Sequence, residues 1–137
     1  MKTYTVVSIE DESEISELLS VVLFSPAVKL IFADTASAGL DLIRRIRPAL
    51  VILDIMLPDM DGWSVYDALR GDPQTAQIPV IMLTVLRREF QPRRTFRPSP
   101  HDAYITKPFD TLQLRHQVEQ MLGEVLWYPE EQEPEER

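Results

Sequence analysis

The chain has 137 residues, no cysteine and a formal net charge of -8, a size that fits one domain with its own core. The absence of thiols excludes disulfide, zinc-thiolate and cysteine-nucleophile chemistry, and the excess of carboxylates argues against direct DNA binding through phosphates. The apolar run before Glu10 is too short for a signal peptide or a membrane span, so a cytoplasmic protein without membrane insertion is expected.

Tyr4 to Ile9 reads as a first strand, followed by a helix over Ser13 to Leu23 with apolar residues at Ile15, Leu18, Leu19, Val22 and Leu23. Val28 to Ala33 gives a second strand, and Ala36 to Ile46 a second helix that Pro48 ends. Leu50 to Leu53 is apolar at every position, the mark of a strand buried on both faces. It runs straight into Asp54 and a Pro/Gly turn. Gly62 to Leu69 is the third helix, Ile78 to Leu83 the fourth strand and Ala103 to Thr106 the fifth. A last helix capped by Asp110 buries Leu114, Val118, Met121, Leu122 and Val125. Between the last two strands, Pro92, Pro98 and Pro100 interrupt the place of a crossover helix, each costing about 3 kcal/mol in a helix interior. The alternation predicts an α/β doubly wound, five-stranded parallel sheet of order 2-1-3-4-5 with a degenerate fourth helix. Residues 1–127 are read as one domain. Residues 128–137, with five carboxylates among them, are read as an acidic disordered tail.

In that strand order the first and third strands flank the switch point, where ligands bind outside the C-terminal strand ends. Glu10, Asp11 and Glu12 follow the first strand and Asp54 the third. Carboxylates gathered there repel unless a cation neutralises them, and Mg²⁺ suits a partly hydrated oxygen site. Thr84 ends the fourth strand with a hydroxyl, and Lys107 follows the fifth. A hydroxyl, an ammonium and a metal around one carboxylate make a place for a phosphoryl group. Read singly, each is bland: Asp54 a helix cap, Thr84 a strand-end threonine, Lys107 a surface lysine, and Glu12 a favourable charge near a helix N-terminus. His101 and His116 are too isolated for a metal cluster.

Glu10-Asp11-Glu12, Leu53-Asp54 with Leu57-Pro58-Asp59-Met60-Asp61-Gly62, Leu83-Thr84 and Tyr104-Ile105-Thr106-Lys107-Pro108-Phe109 occur in the order that resembles the receiver domain of two-component response regulators, the CheY-like family. The resemblance covers residues 4–126. It implies that Asp54 accepts a phosphoryl group from a sensor histidine kinase or phosphotransfer protein. It implies further that Asp11, Asp54 and the Met56 backbone carbonyl ligate Mg²⁺, with Glu10 acting through water. Thr84 and Lys107 are then expected to hold phosphoryl oxygens, with Thr84 and Tyr104 as switch residues. Two departures stand out. Val85 is bulkier than the small residue usual after the switch hydroxyl, and the Arg- and Pro-rich segment 86–101 replaces the helix that commonly contributes to the dimer and output face. The expectation is a single-domain phosphorylation switch rather than an enzyme, monomeric because the prolines remove the helix of that dimer face, and signalling to an unidentified downstream protein. A pseudo-receiver adaptor that works without phosphate is the alternative. An aspartate phosphatase of the haloacid dehalogenase type fits less well, because Met56 stands where such enzymes carry a second aspartate.

Overall fold

Local signals in the chain account for most element boundaries. The computed structural model describes residues 2–85 and 101–128, without the Thr84 side chain. The elements are β1 (Tyr4–Ile9), α1 (Ser13–Val22), β2 (Val28–Ala33), α2 (Ala36–Ile46), β3 (Leu50–Leu53), α3 (Gly62–Gly71), β4 (Val80–Val85), β5 (Asp102–Lys107) and α4 (Thr111–Leu122). Thr35 caps α2 by accepting the Ala38 N–H, Asp61 caps α3 through the Trp63 N–H, and Asp110 caps α4 through the Leu112 N–H. The five strands are all parallel, in the order β2-β1-β3-β4-β5. This is the doubly wound sheet expected from the sequence.

Each face of the sheet has its own apolar layer. Val7, Ile9, Val51, Leu53, Val80 and Met82 pack with Leu40 and Ile43 of α2 and Val65 and Leu69 of α3. Val6, Leu50, Ile52, Ile81, Leu83 and Ile105 pack with Leu19 and Val22 of α1 and Leu114 and Val118 of α4. All four positions of β3 are buried, as a central strand covered on both sides requires.

Several boundaries differ from expectation: α1 ends at Val22 rather than Leu23, α3 runs on to Gly71 rather than Leu69, and β4 runs on to Val85 rather than Leu83. β4 begins at Val80 rather than Ile78, because Pro79 has no N–H to give to a ladder. β5 extends one residue further at each end, from Asp102 to Lys107. The last helix stops at Leu122, where Gly123 adopts the left-handed conformation with φ 73° and ends the run. Val125, expected in its buried stripe, therefore lies beyond the helix and is exposed, as is Leu18 on α1. The proposed degenerate fourth helix with its arginines, and the acidic tail from Pro129 onward, lie outside the described residues.

Candidate functional site

Because β1 and β3 are neighbours, their C-terminal ends deliver Glu10 and Asp54 to the same edge of the sheet. The backbone continues the ladder there: the Asp54 N–H donates to the Ile9 carbonyl (3.1 Å) and the Glu10 N–H to the Ala33 carbonyl (3.0 Å). Both carboxylates are buried, Glu10 at 3% and Asp54 at 4% exposure. Isolated charges at such depth are costly, so a counter-charge is required. Lys107, at the end of β5, supplies it. Its Nζ lies 2.9 Å from Glu10 Oε1, 3.4 Å from Asp54 Oδ2 and 3.5 Å from Glu12 Oε1.

Glu12 is the carboxylate that sequence reasoning underrated. It occupies the N-cap position of α1 without capping it through its side chain, and its N–H donates to Glu10 Oε2 (3.1 Å). Its oxygen joins those of Glu10 and Asp54 in a group whose candidate ligand atoms all lie within 4.8 Å of one another. Asp11, expected as a direct metal ligand, is not in that group. It is exposed and lines a neighbouring depression of about 600 Å³ with Asp34, Asp41 and Arg45. Residues 11 and 12 lie in a loop, where the alternation that orients strand side chains no longer applies.

The electrostatics follow from burial. Desolvation pushes the Glu10 carboxyl up to about 7, with the Asp54 charge adding to it and the bond from Lys107 opposing it. Lys107 is itself held above its ordinary value: burial lowers it, but the Glu10 hydrogen bond and the charges of Asp54, Glu10 and Glu12 outweigh that. Three carboxylates share one ammonium. A divalent cation with oxygen preference fits this donor set, since it would remove the remaining negative charge.

The loop after β3 is held at several points. The Met56 N–H donates to Asp54 Oδ1 (3.2 Å), Met56 pairs with Asp61 in an isolated antiparallel bridge, and the Gly62 N–H donates to the Ile55 carbonyl (2.7 Å). Gly62 is required sterically, because a Cβ there would fall on the Asp54 carbonyl oxygen and the Ile55 Cα. Asp59 spans to α2, where its two oxygens accept the Ala36 N–H (2.7 Å) and the Ser37 N–H (3.0 Å). No local signal marks that contact, which joins residues 23 apart.

Of the remaining expected residues, Thr84 is placed by its backbone alone, in register with Thr106, and Val85 pairs with Lys107. The Thr84 side chain lies outside the described residues. Tyr104 packs against the α2/α3 layer, whereas Ala103 and Ile105 belong to the opposite one. Tyr104 and Lys107 thus project from opposite faces of β5. Burial raises the Tyr104 hydroxyl above its ordinary value.

The chain matches the family model described as "Response regulator receiver domain" over residues 6–119. It is 39% identical over 117 residues to the DNA-binding dual master transcriptional regulator RpaA of Synechocystis, an alignment covering 85% of this chain and 45% of that protein. The chain thus spans about half the length of such curated relatives. A response regulator from Chloroflexus aurantiacus superposes with a TM-score of 0.74 at 25% identity, covering 89% of this chain and 99% of that one. The receiver domain of a sensor histidine kinase from Pseudomonas aeruginosa, described with a magnesium ion coordinated in its active site cleft, superposes with a TM-score of 0.74 at 20% identity, covering 88% and 98%.

Proposed function

Because the chain belongs to the family of response regulator receiver domains, we propose that it is a phosphorylation switch whose acceptor is Asp54. The observation that carries this reading is the buried Asp54 carboxylate at the switch point of the sheet, with the Lys107 ammonium 3.4 Å from Oδ2. In the proposed step, an Asp54 carboxylate oxygen attacks the phosphorus of a phosphohistidine on a sensor histidine kinase or phosphotransfer protein. The P–N bond breaks, its electron pair stays on the imidazole nitrogen, and an acyl phosphate forms on Asp54. Lys107 is the cation this chain offers to the phosphoryl oxygens. Thr84 is assigned the hydroxyl role by the family motif.

Glu10, Glu12 and Asp54 are the carboxylates that would hold Mg²⁺, with Asp11 and the Met56 carbonyl added by the family pattern. When bound, the ion supplies positive charge that offsets the charge on the transferred group. The proposed output is contact with a downstream protein, by a cytoplasmic monomer that is not itself an enzyme and does not bind DNA through this domain. The net charge of -8 supports the last point. Among the described residues, no helix is long and apolar enough to cross a membrane.

The test is phosphorylation by acetyl phosphate with Mg²⁺, followed by intact mass under non-denaturing conditions. Wild type should gain one phosphoryl group, and Asp54→Asn none while keeping its circular dichroism spectrum. Phosphate on folded Asp54→Asn would displace the acceptor to another residue. A folded wild type that stays unlabelled would favour the adaptor that works without phosphate.

A further inference from the structure

The first four N–H groups of a helix have no partner within it and must be satisfied from outside. In α2 the N–H groups of Ala36, Ser37 and Ala38 find such partners. Gly39 makes the first bond within the helix, to the Thr35 carbonyl (3.0 Å), and Ala38 donates to Thr35 Oγ1 (3.2 Å), the helix's own cap. Ala36 and Ser37 instead donate to the two oxygens of Asp59, a residue of the loop after β3. α2 has no acidic residue of its own in its first turn, so Asp59 is the carboxylate at its positive end. These two amide bonds lower the Asp59 carboxyl from its ordinary value.

The span of this contact gives it a role beyond helix capping. The loop leaves β3 at Asp54, passes Met56, whose N–H is bonded to Asp54 Oδ1, and returns at Asp61, the α3 cap. Its ends are fixed by β3 and α3. Asp59 fixes its middle to a third element.

We propose that Asp59 is a positioning residue for the acceptor site: by anchoring the loop to the α2 N-terminus it holds the Met56 backbone against Asp54, and so sets the affinity of the site for a divalent cation. The proposal rests on the phosphorylation reading for its purpose, but its test does not require phosphorylation.

The experiment compares wild type, Asp59→Ala, Asp59→Asn and Thr35→Ala in two measurements: amide hydrogen exchange at Met56 by NMR, and Mg²⁺ titration by calorimetry. Thr35→Ala removes the helix's own cap and leaves the loop anchor in place, so it reports what helix fraying alone does. Asp59→Asn removes the same charge as Asp59→Ala but keeps an oxygen able to accept one amide. In Asp59→Ala, Met56 exchange should quicken severalfold and the Mg²⁺ dissociation constant should rise roughly tenfold, the size of effect typical of residues supporting a metal ligand. Asp59→Asn should fall between, and Thr35→Ala should match wild type in both.

Equal effects of Asp59→Ala and Thr35→Ala would overturn the proposal, since the cause would then be helix stability. Asp59→Asn as weak as Asp59→Ala would also overturn it, assigning the effect to charge. If Asp59→Ala fails to fold, Asp59→Asn against Thr35→Ala decides. A wild type that binds Mg²⁺ but takes no phosphate, with Asp59→Ala releasing Met56, would sink the phosphorylation reading and leave this one standing.

Discussion

Glu10→Gln should flatten the dependence of stability on pH. The folded state holds the Glu10 proton up to about pH 7, against 4.5 for an ordinary glutamate. Between those values the folded chain binds a proton that the unfolded chain has released. The stability from this source is therefore complete below pH 4.5 and lost as pH rises through 7. At about 1.4 kcal/mol per pH unit, the loss amounts to about 3 kcal/mol. For a chain of this size that corresponds to a melting-temperature change of about 10 °C. Gln cannot titrate, so on going from pH 5 to pH 8 the variant should gain about that much relative to wild type, whatever constant offset the substitution brings. Lys107→Met is the complementary perturbation. It removes both the hydrogen bond and the charge that lower the Glu10 carboxyl, so the fall should move to pH above 7. The assay is a series of thermal melts from pH 5 to pH 8.5 with chelator present. Parallel curves for wild type and Glu10→Gln would refute the reasoning, because they would show that Glu10 titrates alike in the folded and unfolded chains.

Gly62→Ala should lower both stability and acetyl phosphate labelling, because its Cβ would meet the backbone of Asp54 and Ile55 rather than a side chain that can turn away. A loss of about 1–3 kcal/mol is expected for such overpacking, and wild-type melting with wild-type labelling would contradict it. Ser8→Ala should stabilise the fold by about 1 kcal/mol, since the Ser8 hydroxyl is fully buried and has no hydrogen-bond partner among the described residues. Denaturant titration would show it as a higher midpoint at unchanged slope, and a lower midpoint would mean that the hydroxyl is satisfied in solution.

The parts of the site legible in the sequence are those that a strand delivers. Asp54 follows a run apolar at every position, and Lys107 ends a short strand, so parallel pairing alone brings them to one edge. Parity goes further than the motif here, because Tyr104 stands three residues before Lys107 and must face the other layer. What the sequence concealed depends on loop conformation. Asp11 and Glu12 are adjacent and chemically alike, and only the entry into α1, with Glu12 extended at φ -90° and ψ 114°, turns Glu12 toward Lys107. Apolar spacing continues past Leu122 and puts Val125 in the buried stripe, although Gly123 ends the helix before it. In the sequence Asp59 shows only as one position of the loop motif after Asp54, since its partners lie on α2, which precedes β3 in the chain.

These contacts also decide where a change at Asp54 can be felt. Oδ2 faces Lys107, which comes from the strand packed under α1 and α4, while Oδ1 accepts from Met56 in the loop that Asp59 ties to α2. Phosphorylating either oxygen would disturb one of these two contacts and replace the single carboxylate charge with a phosphoryl group carrying about 1.5 to 2 negative charges at neutral pH. On the Oδ2 side, the ammonium would turn toward the phosphoryl oxygens and leave Glu10 and Glu12 less well neutralised. On the Oδ1 side, the loop is tied to α2 through Asp59 and to Ile55 through the Gly62 N–H, so a shift of its backbone would strain those contacts. If Asp54 is the acceptor as proposed, its modification would therefore act on both layers of the sheet, electrostatically through Lys107 on one side and mechanically through the loop on the other.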